Sequence, residues 1–243
     1  MTLIFATNNK HKLNEIRNLL EPAIKILSLS DINFNEELEE TNPTIEGNAS
    51  QKSWYVFNKV ISDKSYLLPD SGHLQITGCF ADDTGLEIEA LDGRPGVYSA
   101  RYAGEHCSFE DNIAKVLHEL KGIKNRNAKF RCVLSLIMDG KETQFEGVMN
   151  GSILTEKIGN EGFGYDPIFA PNQIPLSKKI NPLSFSHGEC VRRTDEVGKG
   201  LGLSRIQGRE VRSFAQMTLA EKNLISHRAV ATKKLAEYLL KAN

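Results

Sequence analysis

An α/β protein with a mixed β-sheet is what the sequence predicts, on three observations. Short apolar or alternating runs suit strands: Leu3-Ile4-Phe5-Ala6, Ile24 to Leu29, and Cys79 to Ala90. Segments whose apolar residues recur at helical spacing are interleaved with them. Finally, the runs Phe130 to Met138 and Thr143 to Val148 flank Asp139-Gly140, a hairpin signal that makes part of the sheet antiparallel.

Each element has a local reason. Leu3 to Ala6 is a short continuous apolar run, as a buried strand requires. Leu13, Ile16, Leu19 and Leu20 then keep a 3.6-residue period, and Pro22 closes that helix. Ile24 to Leu29 alternates as a second strand, the acidic stretch Glu36 to Glu40 follows, and Asn48 to Ile61 is again helical. From Cys79 to Ala90 a strand enters and leaves a polar knot, Asp82-Asp83-Thr84-Gly85. Ile113, Val116, Leu117 and Leu120 mark a further amphipathic helix, and Ser226 is the N-cap of a last helix reaching Leu240.

The order describes one domain spanning 1–243, with loop insertions near 62–77 and 172–212. The first insertion is polar and turn-rich. The second holds five glycines and eight basic against four acidic side chains, so it reads as a solvated loop or as a phosphate contact.

Composition excludes several function classes. With 30 basic and 31 acidic residues the net charge is −1, so no whole-protein field gathers nucleic acid or coats a membrane. A small anionic substrate needs only a local basic pocket. Cys79, Cys107, Cys132 and Cys190 form no CxxC pair, which predicts reduced thiols rather than a disulfide framework or zinc site. No signal peptide or membrane-length apolar run is visible, and a cytoplasmic location is expected.

Four segments carry side chains suited to chemistry. Thr7-Asn8-Asn9-Lys10-His11-Lys12 follows a strand and opens a helix; it reads either as a capped helix start or as an anion site built from helix N–H groups with Lys12 in support. It lacks the glycines and ending of a Walker loop. Glu39-Glu40 and Asp82-Asp83 stand about forty positions apart, and adjacent aspartates need a neighbouring positive charge such as Mg²⁺, which takes oxygen ligands. Glu36 and Glu37 read as solvated. Gly162-Phe163-Gly164-Tyr165-Asp166-Pro167 either plugs the core or lets Phe163 stack on a flat ligand. Ser226-His227-Arg228, with Lys222 before it, either caps a helix or grips phosphate or base carbonyls.

In this order the set Ala6 to Asn9 with Lys12 and Glu15, Glu40-Thr41, Glu46 to Ala49 with Lys52, Ala81 to Leu86, Gly93 to Gly104, Gly162 to Pro167, and Ser226 to Arg228 closely resembles the inosine triphosphate pyrophosphatase (HAM1/RdgB) family. The match runs through nearly the whole chain. The resemblance implies an elongated mixed sheet flanked by helices, with two lobes around a central cleft, and a homodimer. It implies hydrolysis of ITP, dITP and XTP to the monophosphate and pyrophosphate, with Mg²⁺ as cofactor and a nucleoside triphosphate as the small-molecule partner. By the same resemblance Thr7, Asn8, Asn9, Lys10, His11 and Lys12 form the phosphate turn, and Lys52 reaches phosphate. Glu40 and Asp83 hold the metal, Asp83 activates water with Asp82 in support, and Thr84 contacts substrate. Phe163, Gly164, Tyr165 and Asp166 clasp the nucleoside, while Lys222, His227 and Arg228 read the base. Asn8 departs from a frequent glycine and Thr84 from a frequent serine. Three rival readings stand beside this one: a Maf-like pyrophosphatase of other modified nucleotides, a nucleotide-binding module inactivated by its insertion, and a plain α/β domain in which the motifs are structural.

Overall fold

A computed structural model describes residues 1–62, 76–173, 204–206 and 209–241. Most of the two expected insertions, and Cys190, lie outside the described residues. In the described part, β1 (Thr2–Phe5) leads through α1 (Lys10–Leu20) to β2 (Lys25–Leu27), and α2 (Ile45–Ser62) precedes the long strand β3 (Ile76–Ile88). A two-residue strand, β4 (Pro95–Gly96), is followed by α3 (Phe109–Glu119), the hairpin β5 (Asn127–Met138) and β6 (Lys141–Ile153), and β7 (Phe169–Pro171). Strands β8 (Ser204–Ile206) and β9 (Arg209–Val211) make a separate ribbon, and α4 (Leu219–Ile225) and α5 (His227–Lys241) finish the chain.

The main sheet runs β2-β1-β3-β5-β6-β7, with β4 on β3. Its first three strands are parallel and the rest antiparallel, so the sheet is mixed as expected. All four residues of β1 are buried, which suits a strand covered on both faces. Asp139 and Gly140 both adopt positive φ, 49° and 70°, the conformation a two-residue hairpin turn requires. The hairpin is longer than its apolar core suggested, because exposed polar residues of β6 still pair across from buried ones on β5.

Helices cover both faces. α1 and α5 pack Ile16, Leu20, Leu235 and Leu239 on Phe5 and Phe80. α2 packs Val56 and Val60 against Ile4, Cys79 and Ala81 from the opposite side. A further core beneath α3 joins Leu86, Ile88, Ile113, Val116, Phe130 and Phe169 with Phe214. β3 enters all three cores, through Phe80, through Cys79 and Ala81, and through Leu86 and Ile88.

One expectation is corrected here. Asp82 to Gly85 is not a knot that a strand enters and leaves, nor are the aspartates at a strand end. β3 continues through them and pairs with β5 from Gly78↔Met138 to Ile88↔Ala128, with Asp82 opposite Leu134 and Asp83 opposite Val133. Ser226 caps α5 as expected, its Oγ accepting from Ala229 N at 3.1 Å. No described helix is long and apolar enough to cross a membrane.

The start of α5 lies close against β6 at Gly147. A Cβ there would overlap the carbonyl oxygen of His227 and the backbone of Ala231, and no side-chain motion relieves a backbone clash. Gly147→Ala is therefore expected to lower stability by about 3 kcal/mol, the upper part of the overpacking range. Urea unfolding measures this, and a loss below ~0.5 kcal/mol would contradict so close a contact.

Candidate active site

The cleft lies where β3 loses its neighbour. β1 pairs with β3 only as far as Phe5↔Phe80, and β4 begins opposite Leu86. Between them the edge of β3 carrying Asp82, Asp83 and Thr84 is open. The cleft, about 290 Å³, is bounded there by the first turn of α1, by α2, by the Phe163 loop and by the start of α5. A gap beyond the carboxyl end of a parallel strand is the usual place for a ligand in an open α/β sheet.

Strand alternation divides the two aspartates. Asp82 faces α1 and α5, whereas Asp83 faces α2. Asp82 is saturated: Oδ1 accepts from Lys12 Nζ at 3.0 Å, and Oδ2 accepts from Arg228 Nε at 3.1 Å, a second Arg228 nitrogen at 3.0 Å and Thr84 Oγ1 at 3.2 Å. Burial alone would raise its carboxyl, but Lys12, Arg228 and Lys52 outweigh that and hold it far below the carboxylate range. Asp83 has fewer partners. Asn48 Nδ2 donates to one oxygen at 3.2 Å, and its own neighbour Thr84 N donates to the other at 2.9 Å. Burial, reinforced by Glu40 against the pull of Lys52, lifts Asp83 above its ordinary value, so it is the more basic of the two.

Glu40 stands before α2 and meets Asp83 through Lys52. The buried Lys52 ammonium bonds one Glu40 oxygen and lies 3.9 Å from Asp83 Oδ1. Burial would lower the Lys52 pKa, but Glu40, Asp83 and Asp82 raise it further and keep its charge. Asn48 and Lys52 sit four apart on α2, on one face. Arg101 approaches Glu40 Oε2 at 3.6 Å and donates to its carbonyl at 3.2 Å.

On the other side a second network is buried. Glu15 binds Arg228 and takes Lys222 Nζ at 3.0 Å. Lys222 also donates to Asp166 Oδ2 at 2.7 Å, and Phe163 N donates to the same oxygen at 2.9 Å. Asp166 therefore fixes the Phe163 loop, and Gly162 has no alternative there: its φ is 78° and a Cβ would overlap the Asp166 carboxylate. Phe163 receives Lys222 Nζ 4.9 Å from its centroid and stacks on His11 at 5.0 Å and 20°. His227 is buried against the Phe130 ring at 4.7 Å, and its Nδ1 has no hydrogen-bond partner among the described residues. Burial, with Arg228 and Lys222 adding to it, holds its pKa well down, so the imidazole is neutral.

Most sequence-predicted residues therefore meet in one cleft: Thr7, Asn8, Asn9, Lys12, Glu40, Lys52, Asp83, Thr84, Phe163, Gly164, Tyr165, Asp166, Lys222, His227 and Arg228. His11 joins only through its stack on Phe163, and Lys10 is exposed and lies outside the lining. The α1 N-terminus is less open than expected, because Asn9 Oδ1 already accepts from the N–H of His11 at 2.9 Å and of Lys12 at 3.2 Å. Glu36 is not merely solvated; it bonds Tyr55 and takes Lys59 Nζ at 3.1 Å. Glu15 is quoted in the first motif without a role, since only the fold brings Lys222 and Arg228 to it. Asn48 was likewise quoted without a role.

A charged cleft behind the open edge of a mixed sheet, with an aromatic loop beside it, suits a small anionic ligand that carries a flat group. Residues 3–180 match the model of the Ham1 family, and the chain belongs to that family. A dITP/XTP pyrophosphatase of Christiangramia forsetii is 43% identical over 241 residues, covering 99% of this chain and 100% of the relative. Another of that description, from Porphyromonas gingivalis, is 41% identical over 239 residues, covering 98% and 97%. The Ham1 protein of Staphylococcus aureus superposes with a TM-score of 0.72 at 30% identity, covering 100% of both chains.

Because Glu15 and Asp82 are both held below their ordinary values, folding favours their charged forms. For Glu15, as for Asp82, burial acts upward and the cations outweigh it. Their contribution is complete above about pH 4 and is lost as pH falls below it. Asp166, raised by burial despite Lys222, acts in the opposite sense. Glu15→Gln should cost about 3–5 kcal/mol at pH 7 by leaving Arg228 and Lys222 short of a counter-charge. Unfolding free energies measured from pH 7 to pH 3 should then fall less steeply in the variant than in wild type; an equal slope would show that Glu15 is not held down by its partners.

Proposed function

We propose that this protein hydrolyses inosine- and xanthosine-type triphosphates (ITP, dITP, XTP) to the monophosphate and pyrophosphate, with Mg²⁺ as cofactor, as a cytoplasmic homodimer. The observation that carries the reading is the division of labour between Asp82, whose oxygens are taken, and Asp83, which is left basic beside Glu40. The family membership and the end-to-end match to a dITP/XTP pyrophosphatase of nearly equal length support turnover over an inactivated module.

The donor set fits a divalent cation. Lys12, Lys52, Lys222, Arg228 and Arg101 are each already paired with a carboxylate among Asp82, Glu40, Asp83, Glu15 and Asp166. Among the described residues the cleft thus has no surplus positive charge for a triphosphate, and two neighbouring carboxylate groups, Glu40 and Asp83, offer the oxygen ligands Mg²⁺ takes. When bound there, Mg²⁺ would supply charge neutralisation on the phosphate oxygens.

The chain's own residues do the rest. Asp83 orients the attacking water and accepts its proton, a task suited to a carboxylate of raised basicity. Lys12 and Lys52 receive phosphate oxygens. Phe163 presents a ring face to the base. Lys222 and Arg228 are donors only, so they accommodate the 6-oxo group of hypoxanthine or xanthine and leave the 6-amino group of adenine unpaired. The unpartnered Nδ1 of His227 adds a further base contact.

Pyrophosphate release across ITP, dITP, XTP, dUTP, GTP and ATP, with and without Mg²⁺, tests this. Turnover should favour ITP, dITP and XTP and need the metal. Asp83→Asn should lower it by about 10²–10⁴-fold while unfolding stays cooperative. Tight ITP binding without pyrophosphate release by wild type would overturn the enzymatic reading, and a preference for dUTP would favour the Maf-like one.

A further inference from the structure

The position between Glu40 and Asp83 is filled by a cation of the chain itself. Lys52 Nζ bonds Glu40 and stands 3.9 Å from Asp83 Oδ1. The side chain is only 7% exposed, so little solvent competes for it. Its route is fixed by α2, where Asn48, one turn earlier, pins the other Asp83 oxygen at 3.2 Å. Arg101 also approaches Glu40, at 3.6 Å from Oε2, but does not reach Asp83, whereas Lys12 is committed to Asp82, and Lys222 and Arg228 to Glu15.

We infer that Lys52 is a tethered competitor of the divalent cation, so that metal enters the site together with the triphosphate rather than before it. The inference rests on the assignment of Glu40 and Asp83 as metal ligands. A divalent ion and an ammonium cannot share the same pair of carboxylates without strong repulsion. Metal arriving alone must expel a buried ammonium that then has no partner, and buried unpaired charge is costly. Metal arriving with phosphates gives Lys52 new partners within reach of its four-carbon stem. Metal and triphosphate therefore bind with positive coupling, and each strengthens the other by the same factor.

Binding of free Mn²⁺, without nucleotide, tests this by electron paramagnetic resonance. Lys52→Met keeps the stem and removes the charge, and Lys52→Gln is a second such variant. Both should bind Mn²⁺ at least tenfold more tightly than wild type, and adding Glu40→Gln to Lys52→Met should abolish the gain. If both bind Mn²⁺ no more tightly than wild type, while Glu40→Gln or Asp83→Asn weakens binding, the competitor role fails and the metal assignment stands. If none of these changes alters Mn²⁺ binding, the metal assignment fails as well. Should the Lys52 variants unfold readily, the rise in their melting temperature with Mn²⁺ replaces the affinity: a rise larger than in wild type supports the inference, and an equal rise overturns it.

Discussion

The structure depends on keeping Asp82 charged in the middle of a buried strand. A lone carboxylate there would be expelled or neutralised, since burial of an unpaired charge costs far more than a typical contact returns. The fold meets that demand by converging three elements on one side chain: Lys12 from α1, Arg228 from α5 and Thr84 from β3 itself. Arg228, almost fully buried, in turn needs Glu15, and Glu15 draws in Lys222 and hence Asp166 and the Phe163 loop. Segments far apart in sequence are thereby held in a single register by alternating charge. Breaking any one member leaves its neighbour uncompensated.

That network also makes the two adjacent aspartates unequal. Two adjacent aspartates would be equivalent in an unfolded chain. The pleat sends them to opposite faces, where one meets a surfeit of donors and the other meets Asn48, a more distant Lys52 and the repulsive Glu40. One is held as an anion and the other is the more basic of the pair. Their different roles follow from strand geometry rather than from any difference in residue type.

Much of this was legible in the sequence. The four-residue apolar run of β1, the helical periods of α1, α2 and α3, and Asp139-Gly140 are local signals that the fold kept. The parts not legible were tertiary. β4, two residues long, exists only because it meets β3 at Leu86 and Glu87, and α4 is a seven-residue helix with too little period to read. Asp82 to Gly85 looked like a break because polar residues interrupt an apolar run, yet the ladder to β5 carries β3 straight through. The cleft residues gathered as their motif order implied, but the partners Glu15 and Asn48 required knowing which helix faces which aspartate. Lys10 shows the limit of treating a motif as a unit, since it is exposed and lies outside the cleft that Asn9 and Lys12 line.

The stack of His11 on Phe163 sets a term in the affinity balance. Centroids 5.0 Å apart describe a single direct contact between two rings, with no room for a third. A purine that takes the face now covered by the imidazole must do so by exchange, and its net gain is the difference between two stacking energies. In the proposed base-stacking role of Phe163, the imidazole is an internal tenant of that ring, one that would moderate how tightly product is retained and tie the first turn of α1 to the arrival and departure of the base.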